Sequence, residues 1–132
     1  MSVVKRTEQG WAGHFICSRN CLFKRNTLIE YKDRKWIIST VGAMVDRDGK
    51  PTTIGYNRWY ETMVFEAELQ GGYWEADVSK EIYPEGEWGI WASSFTELMT
   101  KYPTPDITAN NIHETIVEQM IERIQKEEVD NG

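Results

Sequence analysis

Read from its N-terminus, the chain alternates short runs of β-branched and aromatic residues with polar turn segments for about ninety residues, and then its apolar spacing changes. Trp11 to Ser18 and Cys21 to Arg25 are two such runs around Ser18-Arg19-Asn20, which predicts a first hairpin. Thr27 to Tyr31 and Trp36 to Val41 flank the charged turn Lys32-Asp33-Arg34-Lys35 and predict a second. Asp48-Gly49 predicts a reversal between Met44-Val45 and Thr52-Thr53-Ile54, and Gly42 and Gly55 are placed where the backbone bends.

The longest alternation runs from Trp59 to Leu69. Met63, Phe65, Ala67 and Leu69 fall on one side, expected to be the inner one, and Thr62, Val64, Glu66 and Glu68 on the other. A two-residue loop at Gly71-Gly72 sets Leu69 opposite Trp74, Ala67 opposite Ala76 and Phe65 opposite Val78; a loop longer by one residue would face Phe65 with Asp77. A short strand follows at Trp88 to Ala92.

Ser94 and Glu97 have capping-box spacing for a short helix over Phe95 to Lys101, with Pro103 and Pro105 as its stop. Ile112, Ile116, Val117, Met120, Ile121 and Ile124 then recur at helical spacing, predicting an amphipathic helix from about Ala109 to Lys126 with Thr108 as N-cap. The fold class is therefore α+β: a mostly antiparallel, twisted sheet of about six strands, or a half-open barrel, with a short helix and a C-terminal amphipathic helix packed on it. The 132 residues make a single domain, with residues 1–9 and 127–132 as loose ends.

Composition narrows the function classes. The net charge of −6 makes nucleic-acid binding an unfavoured expectation, because phosphate affinity needs clustered Lys and Arg. Lys24-Arg25 and Lys32 to Lys35, the basic clusters, read as solvated turns. No stretch reaches the roughly 18 apolar residues of a membrane span, and Met1 to Arg6 do not resemble a signal peptide, so no membrane association and a cytoplasmic location are expected. Two cysteines without an export signal read as buried thiols.

Candidate chemistry comes from four places. The double-glycine register sets Glu68 opposite Glu75 and Glu66 opposite Asp77, two facing carboxylate pairs whose repulsion calls for lysines on a neighbouring strand, a cation or a basic protein partner. Alternation points Glu61 toward the inner side, where a carboxylate needs a partner and, at a pocket mouth, acts as a general base or ligand anchor. His14, Cys17 and Cys21 do not have zinc spacing, since His14 and Cys17 fall on opposite sides of a strand and no second ligand pair follows; no metal and no cofactor is expected. A nucleophilic cysteine assisted by His14 is the catalytic alternative, with His14, Cys17 and Glu61 as its candidates. Arg25 and Asn26 belong to a donor-rich segment able to hold an anion. Phosphate-loop, dinucleotide, nucleophile-elbow and H-E-x-x-H motifs do not occur.

Gly10 to Cys17, Phe23 to Leu28, Ser39 to Gly42, Glu61-Thr62-Met63 and Tyr73 to Asp77 together resemble small proteins of bacterial and phage genomes that carry no assigned activity. The resemblance covers roughly residues 8 to 90, implies a bacterial or phage origin, and implies no functional residue. Two functional expectations follow from the residues themselves. The first is an accessory, protein-binding role in which Glu66, Glu68, Glu75 and Asp77 meet a basic partner. The second is a small enzyme or ligand-binding protein with a pocket around His14, Cys17, Arg25 and Glu61.

Overall fold

The computed structural model describes residues 3–10 and 20–131, the last four of these as backbone only. Seven strands, β1 (Lys5–Glu8), β2 (Cys21–Tyr31), β3 (Arg34–Val45), β4 (Pro51–Thr52), β5 (Arg58–Gln70), β6 (Tyr73–Ile82) and β7 (Gly89–Trp91), precede two helices, α1 (Phe95–Lys101) and α2 (Pro105–Asn131). The strands form one open antiparallel sheet in the order β1-β2-β3-β5-β6, with β4 added beside β3 and β7 beside β5. This is the α+β architecture that the alternation predicts. The expected first hairpin involves residues 11–19, which lie outside the described residues; Cys21 to Arg25 and Thr27 to Tyr31 are one continuous strand.

The turns follow their residues. Gly71 and Gly72 both have positive φ, 57° and 88°, as a two-residue hairpin turn requires. Gln70 accordingly pairs with Tyr73, Leu69 with Trp74, Glu68 with Glu75 and Ala67 with Ala76. Beyond Ala67 the expected register fails, because Phe65 lies opposite Glu81 and not Val78. The Asp77 carboxylate accepts hydrogen bonds from the Ser79 amide (3.1 Å) and hydroxyl (2.6 Å). That local turn competes with the ladder and carries the extra residues of β6 outward, leaving Val78 66 % exposed.

Both faces of the central strands are buried. On one, Ile29, Tyr31, Trp36, Ile38 and Val64 pack against Ile116, Val117, Met120 and Ile124 of α2. On the other, Leu28, Ile37, Phe65 and Ala76 form a second cluster. Thr62 and Val64, expected outside, are therefore under the helix; each fully buried branched side chain here contributes about 1.5–3 kcal/mol. Phe65 is buried as expected, whereas Leu69, at the hairpin tip, is 60 % exposed.

Helix α1 begins at the predicted cap, with Ser94 Oγ accepting from the Glu97 amide at 3.0 Å. Its Leu98 enters a third cluster with Trp59, Tyr60, Ile90, Ala92 and Ala109. Helix α2 starts four residues before the expected Ala109. Pro105 opens it instead of stopping α1, since a first-turn proline has no amide to lose and already has helical φ. Asp106 in that turn accepts a hydrogen bond from the Tyr60 hydroxyl at 2.5 Å, tying the helix start to β5. Strand β1 forms inside the N-terminal stretch expected to be loose, and α2 continues through the C-terminal stretch to Asn131.

Candidate functional site

Two buried polar assemblies occupy different parts of the sheet. The first lies under α2, where His113 is completely buried and both ring nitrogens are partnered. Its Nε2 is 2.7 Å from Thr27 Oγ1, its Nδ1 is 2.7 Å from Thr40 Oγ1, and Thr40 Oγ1 is 2.6 Å from Thr62 Oγ1. Proton counting assigns the directions. Thr27 gives its only hydroxyl proton to Glu8 Oε1 at 2.5 Å, so it accepts from His113 Nε2–H. Nδ1 of the neutral ring then accepts from Thr40, which accepts from Thr62. Burial, with Arg25 adding to it and Glu8 and Glu114 opposing, pushes the His113 pKa down to about 4, so the ring is neutral at pH 7.

The chain ends in a partly exposed ion cluster. Arg25 donates to Glu8 (2.6 Å), Glu114 (2.8 Å) and Asn110 (2.8 Å), and Arg6 donates to Glu8 (3.1 Å) and to both oxygens of Glu114. Hydrogen bonds from Arg6, with burial opposing them and Arg25 assisting, hold Glu114 at about 2. Burial alone would raise Glu8, but bonds from Thr27, Arg25 and Arg6 leave it below the usual carboxylate range. Every donor and acceptor of this assembly that is named above has a protein partner.

The second assembly sits where the sheet forks. Strand β5 pairs with β6 along Val64 to Gln70 and with β7 along Arg58 to Glu61. Between those pairings the Thr62 amide donates to Trp88 O at 2.7 Å. The chain from β6 to β7 therefore leaves the sheet and returns, and a pocket of about 320 Å³ remains, lined by Arg58, Glu61, Thr62, Met63, Glu81, Tyr83, Pro84 and Trp88. Its rim is anchored to α2. Gln119 exchanges two hydrogen bonds with the backbone of Glu85 (2.9 and 3.0 Å), and Arg123 donates to Tyr83 O at 3.2 Å.

Inside this pocket Glu61 is buried, and Arg58 Nε stands 2.9 Å from its Oε2. The Arg58 Nε–H is not aligned on that oxygen, so proximity gives an ion pair without a hydrogen bond. The guanidinium lies over Gly55, where a Cβ would come within 2.5 Å of Nη2 and would displace it. Among the described residues no protein acceptor takes a hydrogen bond from the Arg58 side chain, and no cation pairs with Glu81. Trp88 is held edge-on against Trp91, with ring centroids 5.0 Å apart.

Of the residues singled out from sequence, Glu61 has the partner that its inward direction demanded. Arg25 does not share its site. Arg25, Thr40 and Thr62 are successive partners across the sheet on the α2 side, so Glu61, one residue before Thr62, faces the other way. His14 and Cys17 lie outside the described residues, and Cys21 is buried. Asn26 is fully buried and accepts from Gln9 Nε2 at 3.1 Å, while its own Nδ2 has no partner. Glu68 faces Glu75 as expected, but Glu66 lies across from Trp36 and Asp77 is turned onto Ser79, with Lys80 3.9 Å away. Lys35, over the Trp74 ring at 4.5 Å, and Lys80 interrupt this surface with positive charge. Sequence reasoning missed His113, Arg58 and Glu81. The available signal for His113 was its place on the apolar stripe of α2, between Ala109 and Ile116.

No described helix is long and apolar enough to cross a membrane, and no group of three or more His, Cys, Asp or Glu among the described residues is placed to hold a metal ion. The fold and the fork define an α+β protein with an open antiparallel sheet, a C-terminal helix on one face and a preformed edge pocket. No family model, curated protein or solved structure matches this chain.

Proposed function

We propose that this protein binds a small organic ligand bearing an anionic group in the fork pocket. One observation carries the reading: a half-buried guanidinium, Arg58, lines a formed cavity and has hydrogen-bond donors that no described protein acceptor uses. Buried donors are normally satisfied, and an Arg fork fits a carboxylate in bidentate fashion. Glu61 holds Arg58 in place, and the aromatic and apolar lining of Trp88, Tyr83, Pro84 and Met63 takes the body of the ligand. Glu61, the ligand anchor expected from the sequence, becomes the group that orients the anchor.

The test is amide-resolved NMR with a panel of small carboxylates. Saturable shifts confined to residues 58–63 and 81–88, weakened at least tenfold by Arg58→Gln, support the reading. An unresponsive pocket, or shifts centred elsewhere, overturns it. A second reading, an accessory protein meeting a basic partner through its acidic face, draws support from the half-buried Glu68 directly opposite Glu75. It predicts salt-sensitive association weakened by Glu68→Gln and Glu75→Gln and indifferent to Arg58→Gln.

A further inference from the structure

The fork pocket is lined by charged side chains of both signs from two strands, which narrows the ligand class. Arg58 and Glu61 neutralise each other to first order, on β5. Glu81, from the end of β6, brings a second carboxylate to the same cavity, opposite Phe65 in the sheet and without a cationic partner among the described residues. A purely anionic ligand would take the unused donors of Arg58 but meet the uncompensated Glu81, and a purely cationic one would gain Glu81 but leave those donors unused. A ligand with both charges satisfies both ends. The volume of about 320 Å³ is at the small end of the roughly 300–1,000 Å³ found for small-molecule sites, which suits something of amino-acid size.

We infer that the ligand is a free α-amino acid with an apolar side chain. Its carboxylate takes the donors of Arg58, its ammonium lies at Glu81, and its side chain rests among Trp88, Pro84 and Met63. The indole adds attraction for the ammonium if it passes over the ring face, as cations do over tryptophan. The rim is fixed in advance by Gln119 and Arg123, so little ordering cost opposes binding of so small a molecule.

This inference rests on the proposed binding function, and one titration series separates their failures. The probes are phenylalanine, 3-phenylpropionate, which lacks the ammonium, and phenethylamine, which lacks the carboxylate; the readouts are tryptophan fluorescence and amide shifts. Phenylalanine is expected to bind at least tenfold more tightly than either analogue. Glu81→Gln is expected to erase its advantage over 3-phenylpropionate, by weakening phenylalanine and tightening 3-phenylpropionate. If 3-phenylpropionate binds as tightly as phenylalanine to the unaltered protein, the amino-acid assignment is overturned and the anion-binding pocket stands. If phenethylamine alone binds, or none of the three shifts the fork residues, both fail.

Discussion

The face of the sheet beneath α2 and the fork at its edge both bury polar groups, yet they treat them in opposite ways. Under α2, His113, Thr27, Thr40 and Thr62 exhaust one another: each ring nitrogen has one hydroxyl, and each hydroxyl proton has one acceptor. At the fork, Arg58 is held by charge against Glu61 with donors that no described residue uses, and Glu81 lines the same cavity with no ionic partner among the described residues. A closed network in a filled space rigidifies the fold, and it has nothing left to offer a ligand. Spare donors beside an empty, rim-braced cavity are the reverse. A buried histidine tempts a catalytic reading by residue type, but here the difference in satisfaction points away from it and toward an arginine.

The largest expected effect breaks the closed side of this comparison. His113→Ala removes a packed ring and takes from Thr27 its donor and from Thr40 its acceptor, so urea denaturation should show a loss of about 3–5 kcal/mol. Arg58→Gln should cost less stability than His113→Ala in the same measurement, since it empties no core position, and should take ligand binding with it.

The next effect is a pH dependence that belongs to the closed side alone. In the folded state burial lowers His113 from its ordinary 6.5 to about 4, so the unfolded chain binds its proton first as the solution is acidified. The stability it contributes is present above pH 6.5 and is lost as pH falls from 6.5 to 4, about 3 kcal/mol in all. Glu8 and Glu114, whose folded values are depressed, act lower, through losses that begin near pH 4.5; for Glu114 they continue toward 2. Urea midpoints across pH 4.5 to 7 should therefore fall with acid in the parent protein and flatten in His113→Gln. An equal slope in both proteins would mean that the ring is not held neutral.

A smaller effect separates the end of the network from its centre. Thr62→Val keeps the shape and removes only a donor to Thr40, while Thr40 still donates to His113. The expected loss is about 1 kcal/mol, the net worth of one intramolecular hydrogen bond.

What was legible in the sequence follows the same divide between local and distant causes. The Gly71-Gly72 turn, the Ser94 cap and the period of α2 are written in adjacent residues, and each appears where expected. Strand β1 was hidden because Lys5 to Glu8 are all exposed and polar, so no alternation marks a strand that pairing with β2 and the Arg6 and Glu8 ion contacts hold in place. The slip in β6 was hidden because Asp77 and Ser79 read equally well as ladder residues. Glu61 could be singled out from alternation alone. Its pocket could not be, since the fork joins β5 by two separate pairings to residues from 16 positions (Phe65 to Glu81) to 33 positions (Arg58 to Trp91) further along. His113 escaped for a related reason: its hydroxyl partners come from three different strands, and only the finished sheet sets them side by side.

The smallest expected effect is the most discriminating for the open side. Glu81 lines the fork without a described ionic partner, so replacing it by Gln removes no ion pair or side-chain hydrogen bond among the described residues. Stability should change by no more than about 0.5 kcal/mol, as for surface substitutions that break no contact. A loss comparable with that of Thr62→Val would make Glu81 part of the framework and erase the contrast between the two regions. A neutral result, combined with altered discrimination between phenylalanine and 3-phenylpropionate, would mean that this carboxylate contributes nothing until a ligand arrives, which separates a binding group from a structural one.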